Sequence, residues 1–159
     1  MNSRICFISV LIALLLSETL PCFANTWALL VGIEDYKDKR ISDLKYTVSD
    51  VNNFYNTLID LGVCNTPKDN IYLMTSNTDN IEGNDYPKAT NVVLRLKNLV
   101  DRIQPEDTFI FYFSGHGMVS EKQQYLLTID SDPRDTETLT MSAIPIERIN
   151  RLLSKIRAR

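Results

Sequence analysis

Hydrophobic positions along this chain fall into two patterns: short unbroken apolar runs, and longer stretches where apolar residues recur every three or four positions. Trp27-Ala28-Leu29-Leu30-Val31-Gly32-Ile33 and Phe109-Ile110-Phe111-Tyr112-Phe113 are of the first kind. They are too short for buried helices and rich in β-formers, which predicts strands covered on both faces. Asn70 to Thr75 predicts a shorter strand, and Tyr125 to Ile129 another. The second pattern predicts three helices. Val48, Val51, Phe54, Tyr55, Leu58 and Leu61 follow a Thr47–Asp50 capping-box signature, with Gly62 as the stop. Val92, Leu96, Leu99, Val100 and Ile103 follow Thr90 as a cap and end at Gln104-Pro105; Ile146, Ile149, Leu152, Leu153 and Ile156 follow Pro145 at a first helical turn. Glu34 to Lys45 and Ser76 to Lys88 read as loops, and Asp132-Pro133 as a turn. The order β-α-β-α-β-(hairpin)-α predicts an α/β domain with a mostly parallel sheet and helices on both faces.

The second apolar run leads into Ser114-Gly115-His116-Gly117, which holds the chain's one histidine. The carboxyl end of a central strand is where an open α/β sheet places its chemistry. An imidazole is the side chain best suited to move protons near neutral pH. The Gly117 N–H can face a developing oxyanion, because glycine lets backbone approach a reacting centre. The bland alternative, a turn histidine tolerated between two glycines, stays beside this reading. Other nucleophiles fare worse. Ser114 lacks the Gly-x-Ser-x-Gly elbow, since Tyr112 stands two residues before it. Cys64 precedes the second strand and so belongs to the amino edge of a parallel sheet, a strand length of about 17–20 Å from the edge that carries His116.

Composition narrows the classes. At 159 residues the chain suits one domain with a single good core. A net charge of −3 leaves no basic footprint for nucleic acid. Arg4, the apolar stretch Ile5 to Leu16 and Cys22-Phe23-Ala24 read as a secretory signal peptide over residues 1–24, cut after Ala24. The stretch is well short of the roughly 20 residues that span a bilayer. The expectation is an exported domain of residues 25–159, secreted or periplasmic, with no stable membrane anchor. Cys6 and Cys22 leave with the signal, so Cys64 stays as a lone thiol and the domain stands on its hydrophobic core. One histidine and one remaining cysteine give no metal-ligand spacing, and no glycine-rich phosphate loop is present. Glu34-Asp35, Asp130-Ser131-Asp132 and Asp135 read as solvated acidic loops.

Taken together, these residues resemble the caspase-like cysteine peptidases, particularly their bacterial metacaspase-type members. The matching pieces are Trp27 to Ile33 with Tyr36, Leu44 with Thr47 to Asp50, Ala89-Thr90, Phe111 to Gly117, and Tyr125-Leu126-Leu127. The resemblance implies a three-layer α-β-α sandwich and a Cys–His dyad acting on protein or peptide substrates. His116 would assist the thiolate and Gly117 N–H would hold the oxyanion. The family's nucleophilic cysteine lies after the next strand, in an Asp-x-Cys pattern. By a strand of about five or six residues it is expected roughly ten residues past Arg159. Residues 1–159 therefore carry half a dyad and lack the last core strand, as a fragment of a peptidase or a catalytically inactive binding or regulatory module would. True caspases read aspartate through an arginine shortly before the first helix, where this chain has Leu44. Metacaspase-type members use acidic residues for a basic P1 side chain, and Asp50 matches one such position; it reads equally well as a helix-capping acid. The resemblance implies no cofactor, and calcium dependence, common among metacaspase relatives, stays open, as does the oligomeric state.

Overall fold

The computed structural model describes residues 24–158; residues 1–23, on which most of the signal-peptide expectation falls, lie outside them. The first strand, β1 (Thr26–Gly32), is the axis of a parallel three-stranded sheet ordered β2-β1-β3, with β2 at Ile71–Thr75 and β3 at Thr108–Ser114. The register pairs Ala28 with Ile71 and Gly32 with Thr75 on one side, and Thr26 with Thr108 and Gly32 with Ser114 on the other. All three strands thus end level with one another. The sheet's unbroken apolar sequence follows from this position: alternate β1 side chains serve two separate cores.

Ala28 and Leu30 face helix α1 (Thr47–Ile59), meeting Val51 and Leu58. Phe54 of α1 also packs edge-on against Tyr112 of β3, with ring centroids 5.3 Å apart. Trp27, Leu29 and Val31 face the opposite layer. There α2 (Ala89–Val100) contributes Val92, Leu96 and Leu99, and the last helix contributes Ile149 and Leu152. The result is the expected helix–sheet–helix sandwich.

Past β3 the chain forms a smaller antiparallel sheet from β4 (Gly117–Ser120), β5 (Gln123–Leu126) and β6 (Ile144–Pro145). A short α3 (Thr136–Ser142) precedes β6, and α4 (Ile146–Leu153) follows it. Helix α3 is absent from the periodicity because only Leu139 of its residues is buried; its start is marked instead by a full capping box between Asp135 and Thr138.

Several local expectations change. Among the described residues strand β3 pairs on one side only, with β1, and residues 109–114 are all half-buried. Thr47 does not cap α1. It is the first helical residue, preceded by Tyr46 in the left-handed region (φ 74°), and Glu34 Oε1 accepts from Val48 N–H at 3.3 Å. Gly62 does not stop α1; the helix ends at Ile59, Asp60 takes extended geometry, and Leu61 is 83% exposed beyond it. Helix α2 begins at Ala89 rather than after Thr90, and its first free N–H is met by Asp130 Oδ1 at 3.1 Å, a partner far off in sequence. Pro145 precedes α4 rather than entering it.

Candidate active site

The level ends of the parallel strands create the site. Ile33 N–H donates to Ser114 O and Ser76 N–H to Gly32 O, each at 3.0 Å, so the three chains stay laced together just past the sheet. His116 sits beyond β3 at this carboxyl edge. Its main chain is held on both sides: its N–H donates to the Tyr36 hydroxyl at 2.8 Å, and its C=O accepts from Leu127 N–H at 2.9 Å. Tyr36 is 1% exposed, and its ring lies 5.4 Å from the imidazole. Burial raises the Tyr36 phenol above its ordinary pKa, with the hydrogen bond from His116 acting the other way, so the hydroxyl stays protonated.

The imidazole itself is anchored through one nitrogen. Nε2 lies 2.9 Å from the Ser42 carbonyl oxygen and 3.3 Å from Ser42 Oγ. A carbonyl oxygen only accepts, so this contact places the proton on Nε2 of the neutral ring and leaves Nδ1 as the basic nitrogen. Space at Gly115 is tight: a Cβ there would meet the Tyr36 hydroxyl and the Phe113 ring at 3.0 Å, and both would have to give way slightly.

Gly117 opens β4 opposite Leu126. The bond from Leu127 N–H to His116 O marks Gly117 and Leu126 as a non-hydrogen-bonded antiparallel pair, so Gly117 N–H points away from β5. A free backbone donor thus adjoins a histidine with a basic nitrogen. Both line a cleft of about 240 Å³, walled by Ile41, Met118 and Leu127 and rimmed by Arg40. Arg40 pairs with Asp38 and reaches Asp132 at 3.1 Å, while Asp132 also holds Arg134 at 2.6 Å. The Arg40 hydrogen bonds pull the Asp38 carboxyl down to about 2.

The structure brings His116 and Gly117 together and leaves Asp50 apart from them. Asp50 lies in the first turn of α1, exposed, and does not line the cleft. Cys64 is an exposed free thiol in the segment before β2, at the amino edge of the sheet. Among the described residues no three His, Cys, Asp or Glu side chains gather as metal ligands would, and no helix is long and apolar enough to cross a membrane. Sequence reasoning missed the Ser42 carbonyl and the task of the Tyr36 hydroxyl. Both lie in the irregular segment between β1 and α1, where periodicity carries no signal.

A model of the caspase domain matches residues 25–157, nearly all of the described chain. The chain belongs to the caspase-domain family. It is also similar to metacaspase-1 of Eremothecium gossypii, at 27% identity over 126 residues, or 79% of this chain. The chain spans about a quarter of the length of that curated relative. The parallel sheet flanked by helices is the fold that the caspase-like resemblance implied, and this domain places its sole histidine at the edge where the strands end.

Proposed function

We propose that this domain is the histidine-bearing part of a cysteine endopeptidase that cleaves protein or peptide substrates after a basic residue. The observation that carries the reading is the pairing of a basic Nδ1 on His116 with an outward-facing Gly117 N–H in one cleft. The nucleophile is a cysteine lying past Arg159, since Cys64 belongs to the opposite edge of the sheet.

His116 Nδ1 takes the proton of that thiol. The sulfur attacks the peptide carbonyl carbon, forming the C–S bond as the C=O π pair moves to oxygen. Gly117 N–H donates to this oxyanion, a contact of the kind worth about 10²–10³ in rate. Collapse breaks the C–N bond, and the imidazolium returns its proton to the leaving amine. Water, deprotonated by His116, then releases the acyl group and restores the thiol.

Asp50 supplies the negative charge for the basic P1 side chain at the amino end of α1. The protein acts after export, with residues 1–24 removed as a signal peptide; amino-terminal sequencing of the exported product should begin at Asn25.

The test uses the protein continued through the next Asp-x-Cys. It should hydrolyse Arg or Lys peptide amides in a thiol-dependent way, and Asp50→Ala should raise KM for them. Cleavage after Asp but not after Arg would overturn the assignment of P1.

A further inference from the structure

His116 is gripped twice by one short segment of chain, at its backbone and at its ring. Tyr36 holds the backbone through His116 N–H, and Ser42 holds the ring through Nε2. What fixes these two grips relative to each other is Asp43. Its Oδ1 accepts from the Tyr36 N–H at 3.1 Å, closing the segment on itself, and Lys39 Nζ braces the same carboxylate at 3.0 Å from Oδ2. A second tie, Leu44 N–H to Glu34 O at 2.8 Å, closes the neck of the loop one step further out. Inside the loop Tyr36 and Ile41 are buried, at 1% and 6% exposure, so it is seated on the core.

We propose that Asp43 and Tyr36 are positioning residues for His116. The Asp43 carboxylate sets the span from Tyr36 to Ser42, the two residues that hold the His116 amide and its Nε2. The loop thereby selects the Nε2–H tautomer and leaves Nδ1 as the acceptor nitrogen of the neutral ring. Asp43 and Tyr36 thus act through His116, and their importance for catalysis rests on His116 being the base.

The experiment needs no cleavage, because the chain has a single histidine and ring ¹⁵N labelling gives one imidazole. In the neutral ring of the unaltered chain, the Nε2–H form should dominate. Asp43→Ala should lower the ratio of Nε2–H to Nδ1–H about fivefold, the worth of one net hydrogen bond, and Asp43→Asn, which keeps an Oδ1 acceptor, should restore it. Tyr36→Phe should speed exchange of the His116 amide proton about fivefold while the amides of Leu29 and Leu30 keep their protection. An unchanged tautomer ratio in Asp43→Ala, or unchanged His116 exchange in Tyr36→Phe, would overturn the proposal. Loss of the tautomer preference in Asp43→Asn to the same extent as in Asp43→Ala would also overturn it. Since both readouts are taken without substrate, a failed clamp and a failed peptidase reading are told apart.

Discussion

Strands β1 and β3 run side by side, paired from Thr26–Thr108 to Gly32–Ser114, yet occupy different surroundings. Leu29, Leu30 and Val31 are fully buried, while Phe109 to Phe113 are half-buried throughout. The reason is sheet order. β1 has a strand on each side and a helical layer on each face; β3, among the described residues, has a strand on one side only. Among the described residues β1 is the more deeply buried of the two, and β3 leads into the histidine.

Four substitutions probe the contrast, from the largest effect down. Leu30→Ala empties a position between β1 and α1 and should cost about 4 kcal/mol in urea unfolding. Asp107 comes next, because it joins the amino ends of the two strands. It accepts from Asn25 N–H at 2.8 Å, Trp27 Nε1 at 3.0 Å and Gln104 N–H at 2.9 Å, at 3% exposure. Asp107→Ala orphans these donors and should cost about 3 kcal/mol. Burial pushes the Asp107 carboxyl up, but the donated hydrogen bonds outweigh it and its pKa lies below the ordinary 3.8. Its contribution is therefore complete above the unfolded-state value and lost as the pH falls through the lower folded one, so the native chain should lose stability on acidification in a step that Asp107→Asn lacks.

Phe111→Ala in β3 should cost about 2 kcal/mol, less than the full penalty of a core phenylalanine, because the side chain is only partly buried against the core. If Phe111→Ala were as damaging as Leu30→Ala, the contrast between the two strands would fail. Gly32→Ala is the mildest and tests the exit of β1. A Cβ there meets Val51 Cγ2 at 2.8 Å and Thr47 O at 3.1 Å, and overpacking of this kind should cost about 1–2 kcal/mol by thermal unfolding.

Much of the fold was legible because α/β packing writes itself into apolar runs and helical periods. Trp27 to Val31, the α1 stripe of Val51 and Leu58, and the α2 stripe of Val92, Leu96 and Leu99 all lie where those patterns put them. What could not be read was how deeply each apolar run is buried among the described residues. Trp27–Ile33 and Phe109–Phe113 look alike in sequence, and only the strand order separates them. Helix boundaries also misled where the caps come from distant residues, as Asp130 does for Ala89 and Glu34 for Val48. The motif around His116 stood out at once, but its supports did not. Ser42 contributes a backbone carbonyl, which any residue type offers, and Tyr36 acts from a loop with no period.

The central claim is that His116, held by Ser42 and Tyr36, is the base of a cysteine endopeptidase. The direct test is the rate of Arg-peptide amide hydrolysis by the cysteine-containing longer protein, with and without His116→Ala. Loss of a general base predicts a fall of about 10²–10⁴ in kcat/KM, with the circular dichroism spectrum unchanged. A variant that keeps the native rate would remove His116 from the mechanism.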